Sequence, residues 1–406
     1  MSDQPLPTGM NLTPLDEDFK QDPYPILDRM RTEAPVFEDK ELGRVIFTDH
    51  DDVKSLLRDR DMWSDPRKAN PGTFTREFLG RNMGEDDEPS MLLMDEPDHR
   101  RLRSLVSSSF TPAAVEKWRP RTRAVVKRIL DNTQGDEFDL IQEFAGPVAT
   151  VVIAEMLGID PEMHGKFKLW SDTSVVASFN PFPTEEQAKA RDDANENLNN
   201  FFYQAIKTRR GNLGDDLLSD MICAEQDGEK LSVMEMITQA NLLLIAGNVT
   251  TTDLIGNGVR ALLDNPDQWQ KLQANPELIK NAVEEMLRFD SPVVNSGRVS
   301  NRDMEVQGCP VVKGESITTS LAAANRDPEI YPEPNRFNIE REDTHHQSFG
   351  GGRHLCLGSH LARLEVQEAI LGLMSKFPNL SHSSKGVEYH AIPSFRGMSS
   401  FWVKGE

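Results

Sequence analysis

The sequence predicts a mainly α-helical protein with small β-sheets, on three observations. From Asp98 to Leu213 apolar residues recur at helical spacing, broken at Pro112, Pro120, Pro147, Pro161 and the Phe179–Pro183 stretch, where proline stops a helix. From Ser232 an unbroken helical pattern runs to Leu263. That is about 32 residues and ~48 Å at ~1.5 Å per residue, long enough to traverse a whole domain. Strand-like runs, by contrast, are short and scattered, so helix outweighs strand.

In chain order, Met1 to Pro25 is polar and proline-marked, and residues 1–22 are expected to form a loosely ordered N-terminal segment. It contains no apolar run fit for a signal peptide or membrane anchor. Pro35–Phe37 and Arg44–Thr48 flank a turn-like Glu38–Gly43 and read as a hairpin; Asp49 to Leu57 reads as a short capped helix. Residues 65–92 are rich in Pro, Gly, Asn and acids, with Phe74, Phe78, Leu79 and Met83 interspersed. A loop this long in a compact chain is usually functional or mobile. The long helix opens on a capping box, Ser232 bonding forward and Glu235 reaching back, and stops at Asp264-Asn265-Pro266. Its middle is apolar nearly all round and should be buried. A further helix begins at Asn275-Pro276 and ends near Asp290-Ser291-Pro292. Met304–Val306 and Val311-Val312, around Gly308 and Pro310, suggest a small antiparallel sheet. No linker, repeat or charge block divides the chain, so residues 1–406 are expected to form a single domain.

Composition narrows the function. Cys223, Cys309 and Cys356 are too few and too scattered for a disulfide framework, which agrees with a reducing, cytoplasmic compartment. The densest apolar segment, Leu242–Ala246, is far too short to span a bilayer, so no membrane partner is expected. A net charge of −21 argues against nucleic acid or an anionic membrane as the main partner. Against this acidity, Arg100, Arg101, Arg103, Lys117, Arg119, Arg121, Arg123, Lys127 and Arg128 are opposed within their own stretch only by Glu116. Such a run is either a solvated helix face or a docking patch for an acidic protein.

The most informative stretch is Ser348-Phe349-Gly350-Gly351-Gly352-Arg353-His354-Leu355-Cys356-Leu357-Gly358. Three consecutive glycines remove the side chains that would hold a flat, bulky partner off the backbone. Ala362, Val366, Ala369, Ile370 and Leu373 follow at helical spacing, which puts Cys356 at a helix entrance, where the dipole favours a thiolate. A lone cysteine is ordinarily a small buried hydrophobe. Zinc is the sharper rival, since His345, His346, His354 and His360 crowd the same stretch, but no second cysteine is near to close a structural site. A thiolate under a glycine loop suits haem, as the axial ligand that favours O–O cleavage.

With these residues the chain resembles the cytochrome P-450 family. The family's haem-binding signature, Phe-x-x-Gly-x-x-x-Cys-x-Gly, is matched by Phe349, Gly352, Cys356 and Gly358, with His354 two residues before the cysteine as in bacterial members. The resemblance extends from about Pro23 to the C-terminus. It implies the cytochrome P-450 fold, with haem b between the long central helix and the loop whose Cys356 ligates the iron. It further implies that Ala246, Gly247 and Thr250 belong to the oxygen-binding helix, in whose pattern Val249 stands where the family has an acid. On this reading Gly247 opens room over the haem face and Thr250 holds water or dioxygen. Asn248, Thr251 or Asp253 then stand in for the missing acid through ordered water. The alternative is that each threonine merely bonds a carbonyl one turn back.

His99 and Arg103, four apart, together with Arg298 and His354, match the family's propionate-binding groups. Glu285, Arg288 and Arg336 resemble its buried structural triad, with Glu284–Arg288 as a competing exposed bridge. The substrate pocket is expected from the 65–92 loop (Phe78, Leu92), the Val175–Phe182 stretch (Phe179), Leu242, Val293, Val294, Asn295 and Phe395, a largely apolar lining. The implied activity is monooxygenation of a hydrophobic small molecule. With no length left for a reductase domain, electrons are expected from a ferredoxin and its NAD(P)H-dependent reductase, and the protein is expected to be a monomer. Val249 leaves open peroxide-driven oxidation, and a non-catalytic haem-binding role is the third reading.

Overall fold

The computed structural model describes residues 5–81, 83–84, 89–133, 135–178, 180, 182–226 and 229–405. After the N-terminal segment and a helix over Tyr24–Glu33, the first half of the chain forms a hairpin of β1 (Val36–Asp39) and β2 (Arg44–Phe47), then α1 (His50–Arg58), α2 (Asp98–Ser107) and α3 (Arg119–Asn132). Next come β3 (Glu137–Asp139), α4 (Gly146–Met156), α5 (His164–Ser178) and α6 (Glu185–Arg209). The second half contains α7 (Val233–Asp264), α8 (Ile279–Phe289), β4 (Asn295–Val299), β5 (Met304–Val306), β6 (Cys309–Val311) and β7 (Ser316–Ser320). It ends with α9 (Ser359–Lys376), β8 (Ser381–Tyr389) and β9 (Met398–Lys404).

Local signals explain several of these boundaries. Asp49 caps α1 by accepting from the N–H groups of Asp51 and Asp52 at 2.9 and 3.3 Å. At the start of α7 the capping box forms in both directions: Glu235 N–H donates to Ser232 Oγ at 3.0 Å, and Ser232 N–H to Glu235 Oε2 at 2.7 Å. From that cap α7 runs 32 residues, as its pattern predicts. Gln307 and Gly308, with φ of 48° and 78°, supply the two left-handed residues that a tight β5–β6 turn requires.

The sheets depend on contacts that no local pattern reveals. β2 pairs in parallel with β7 and β7 antiparallel with β4, giving the order β1-β2-β7-β4 and placing Arg298 opposite Ile317. β9 lies between β8 and β3 in a second, antiparallel sheet. The long helix joins two apolar clusters. Its N-terminal half (Ile237, Ala240, Leu244) packs with Ile153 of α4, Phe167 of α5 and Phe202 of α6. Its C-terminal half (Ile255, Val259, Leu262) packs with Val283 of α8 and Ile370 of α9. At ~1.5–3 kcal/mol per buried large side chain, these two ends anchor the helix firmly. The stretch between them, Ala246 to Thr252, carries the glycine and the polar residues.

The N-terminal segment departs from expectation. Rather than lying loose, its described part forms a 3-10 turn (Gly9–Leu12) and a short helix (Glu17–Gln21). Leu12 and Phe19 are buried against Tyr24, Leu27, Val294 and Ala322, and two well-placed apolar side chains suffice to pin an otherwise polar segment. No helix among the described residues is long and apolar enough to cross a membrane.

Candidate active site

The cysteine loop is shaped by its backbone. Gly350 and Gly352 adopt φ of +68° and +65°, left-handed values that other residues resist. A Cβ on Gly352 would lie 2.5 Å from the Leu57 carbonyl oxygen, and one on Gly351 would lie 3.2 Å from Leu57 Cβ. The glycines therefore let the loop close onto the end of α1, a packing role distinct from the ligand clearance expected of them. The Cys356 N–H donates to the Phe349 carbonyl at 2.9 Å, closing the loop before α9 begins at Ser359. Cys356 keeps an open face although it sits deep in the protein. Burial pushes its thiol up, while the Gly358 N–H and the Arg103 and Arg363 guanidiniums pull it down. The helix-entrance argument alone predicts a lowered value; here burial outweighs it.

Beside the loop is a cluster of cationic and N–H-bearing groups. The rings of His99 and His354 lie 4.2 Å apart. Both His99 nitrogens and His354 Nε2 are buried without a hydrogen-bond partner among the described residues. Burial, with Arg298, His99 and Arg103 nearby, drives His354 down to about 2. Arg298 is buried on β4 and among the described residues bonds only neutral oxygens, Ser296 Oγ at 3.2 Å and the Gly297 carbonyl at 2.7 Å, and burial pulls it down to about 10. Arg103 reaches the Leu355 carbonyl at 2.6 Å. Arg353, which the sequence reading passed over, joins this cluster and lies 3.7 Å from Glu96. Its position next to His354 was the available signal. Buried donors in this number need acceptors. A ligand bearing carboxylates would supply them, and one thiol close by suits a metal, so the residues fit haem.

On α7, at about 100° per residue, Ala246, Thr250, Asp253 and Asn257 fall on one stripe. Ala246 is exposed although it lies mid-helix between two buried clusters. Thr250 Oγ1 donates to the Ala246 carbonyl at 2.7 Å. The neighbours expected to act with it point elsewhere. Gly247 faces α4, where an added Cβ would stand 3.2 Å from Ile153 Cγ1, so it admits a helix rather than a ligand. Asn248 is buried and makes three side-chain hydrogen bonds: its Oδ1 accepts from Thr150 Oγ1 at 2.8 Å, and its Nδ2 donates to Ser171 Oγ at 2.8 Å and Asp172 Oδ1 at 2.9 Å. It ties α7 to α4 and α5. Thr251 is buried and lies about 100° off the stripe. Helical rotation separates these side chains from Thr250 despite their closeness in sequence.

The family model for Cytochrome P450 matches residues 39–388. The chain belongs to the cytochrome P-450 family. It is 36% identical over 394 residues to the putative cytochrome P-450 YjiB of Bacillus subtilis, covering 95% of both chains. It is 35% identical over 382 residues to 6-deoxyerythronolide B hydroxylase of Saccharopolyspora erythraea, covering 90% of this chain and 91% of that one. The crystal structure of P-450BioI, in complex with an acyl carrier protein bearing hexadec-9Z-enoic acid, superposes with a TM-score of 0.86 at 32% identity, over 96% of this chain and 99% of that one. The protein is thus a haem-thiolate monooxygenase of the cytochrome P-450 class.

Within this cytochrome P-450 the ion network corrects one expected member. Arg288 bonds Glu285 through Nε and Nη2 at 2.7 and 2.8 Å, and both side chains are fully buried. The third member is Arg341, whose Nε lies 3.1 Å from Glu285 Oε2. Arg336 instead points outward to Glu333 at 3.1 Å, because the turn at Pro334 directs its carbonyl inward, where Arg288 and Arg341 donate to it. Glu284 pairs with Arg363 at 2.6 Å and His346 at 3.2 Å, not with Arg288.

The expected pocket residues divide. Phe78 stacks on Phe74 with centroids 4.9 Å apart and meets Phe182 at 6.0 Å. Leu92 is exposed, Leu242 is partly buried, and Val293 bridges to Phe395. Asn295 opens β4 opposite Ser320. Val294 faces the other way into the N-terminal cluster and is core, as the strand alternation next to Val293 requires. Phe179 lies outside the described residues. The basic run is also less free than its sequence suggests: Arg101 pairs with Glu235, Arg119 and Arg123 with Glu368, Lys127 with Asp131 and Arg128 with Glu155.

Proposed function

We propose that this cytochrome P-450 hydroxylates a hydrophobic small organic substrate, RH, with haem b as the prosthetic group and electrons from separate proteins. The overall reaction takes RH, O2, two electrons and two protons to ROH and water, and NAD(P)H supplies the electron pair through a reductase and a ferredoxin. Bound haem supplies the dioxygen chemistry. The observation that carries the reading is the pair of buried imidazoles, His99 and His354, with unpartnered nitrogens beside Arg298, Arg103 and the cysteine loop.

Cys356 Sγ would hold the haem iron, and the Gly358 N–H and the Arg103 and Arg363 charges favour its thiolate against burial. His99, His354, Arg298 and Arg103 would hold the haem carboxylates, while Phe349, Gly352 and Gly358 shape the ligand loop. Ala246 and Thr250 present the open stripe of α7 to the oxygen side. Phe78, Leu92, Leu242, Val293, Asn295 and Phe395 exclude water from the substrate. A groove of about 650 Å³ by the cysteine loop is lined by Lys54, Arg58, His345, His346, His360 and Arg363, with Glu284 as its one acid. Its charge supports docking of an acidic ferredoxin there, in a cytoplasmic setting. Val249 favours peroxide-driven oxidation as the second reading.

The test is the reduced, CO-bound spectrum. Wild type is expected to show the red-shifted Soret band of thiolate-ligated haem and Cys356→Ser to lose it, whereas identical spectra overturn the assignment. Product formation with ferredoxin, reductase and NAD(P)H but not with peroxide then separates the two oxidative readings.

A further inference from the structure

Val249 leaves the oxygen-binding helix without its usual acid, yet α7 carries a carboxylate one turn later on the stripe that Ala246 and Thr250 share. Side chains three apart on a helix are neighbours, with Cβ atoms about 5–6 Å apart. Asp253 is buried, and His390 Nε2 stands 3.2 Å from both of its oxygens. Gly397 leaves room for this arrangement, since a Cβ there would fall 1.8 Å from Asp253 Oδ1. Behind the pair, His390 Nδ1 is buried without a hydrogen-bond partner among the described residues. His390 lines a cavity of about 10 Å³, together with Lys20, Phe395, Arg396 and Gly397. A space of this size holds about one water.

We infer that Asp253, positioned by His390, delivers protons to the oxygen site through Thr250, in place of an acid at position 249. This rests on the monooxygenase reading above. The Thr250 hydroxyl uses its own proton on the Ala246 carbonyl, so its lone pairs are open to accept one. Burial raises the Asp253 carboxyl and the His390 contact lowers it, with Asp172 and Asp290 adding to the rise; the net direction is up. Burial lowers His390, but Asp253 outweighs it and the imidazole is raised, with Arg396 opposing. The two groups are placed to share a proton across this contact. Asp253 passes a proton to Thr250 directly or through one water. His390 Nε2 returns one to the carboxylate as Nδ1 takes one from water in the cavity, that water regains its proton from bulk solvent, and tautomer exchange resets the ring between turnovers. Because the His390 value is raised, the relay is charged below it and fails as pH rises through it.

The test uses the haem-loaded full chain with ferredoxin, reductase and NAD(P)H, scoring product per NAD(P)H and released peroxide. Asp253→Asn is expected to lower coupling about 10-fold, below the ~10²–10⁴ of a fully positioned acid because water substitutes in part. Asp253→Glu should retain most coupling, and adding Val249→Asp to Asp253→Asn should recover several-fold. Val249→Asp alone should gain nothing, which keeps the test decisive even where Asp253→Asn accumulates little haem. His390→Asn should abolish the alkaline fall in coupling. On the ferric holoenzyme, the NMR titration of His390 should shift to lower pH in Asp253→Asn. The relay is overturned if Asp253→Asn couples as wild type does, if its loss merely tracks the fraction of folded holoenzyme, or if Val249→Asp alone improves coupling. A wild-type CO spectrum lacking the thiolate band would overturn the monooxygenase reading as well; an intact band with unaffected coupling removes the relay alone.

Discussion

Replacing Arg341 by alanine is expected to destabilise the protein by ~3 kcal/mol, and replacing Arg336 by ~0–1 kcal/mol. Arg341 is nearly buried and bonds the fully buried Glu285 at 3.1 and 3.3 Å. It also donates to the carbonyls of Pro332, Glu333 and Arg336. Hydrogen bonds to a charged group are worth ~1.5–3 kcal/mol each but are not additive. Glu285 keeps Arg288, so the loss stays at the low end of the ~3–5 kcal/mol for stranding a buried charge. Arg336 has only an exposed partner, Glu333, and such pairs contribute ~0–1 kcal/mol. At ~2.1 cal/mol/K per residue, 406 residues give an unfolding entropy of ~0.85 kcal/mol/K, so Arg341→Ala should lower Tm by ~3.5 °C and Arg336→Ala by ~1 °C or less. Arg341→Lys should recover little, because an ammonium does not reproduce the guanidinium fork. The assay is thermal unfolding of the ferric holoprotein, followed by circular dichroism and by Soret absorbance. Equal losses from Arg336→Ala and Arg341→Ala would refute the assignment.

Three further outcomes are expected. Gly352→Ala combines a left-handed φ with a Cβ 2.5 Å from the Leu57 carbonyl, so haem bound per chain should fall sharply; Gly350→Ala, with no neighbour closer than 3.9 Å, should lose less. Burial pushes Glu284 up, but Arg363 and His346 outweigh it and hold the carboxyl at about 2, below its unfolded value of ~4.3. The stability it contributes is thus fully present above that unfolded value and is lost as pH falls through about 2, so the urea midpoint of Glu284→Gln should fall less steeply with acid than that of wild type. Lys54→Glu and Arg58→Glu should slow reduction by an acidic donor and flatten its salt dependence, whereas Arg119→Glu should instead lower Tm, because it sets a second carboxylate against the nearly buried Glu368 and leaves it Arg123 alone.

What the sequence determined by itself is what short-range physics writes into adjacent residues. The Ser232–Glu235 box and the apolar run behind it define the long helix, because caps and periodicity act within a turn or two of the chain. The Cys356 motif, with His99 and Arg103 four apart on α2, was legible for the same reason. Only the tertiary structure decided how those elements face one another. Asn248 stands two residues from Thr250, but helical rotation turns it onto α4 and α5, while Asp253 returns to the Thr250 stripe and meets His390 from a distant strand end. The choice of Arg341 over Arg336 depended on which way one proline turn directs a carbonyl. The basic run around α3 looked unopposed because its acids, Glu155, Glu235 and Glu368, come from three other helices. Pairing across such distances is set by how the helices pack against each other, and a linear pattern carries no record of it.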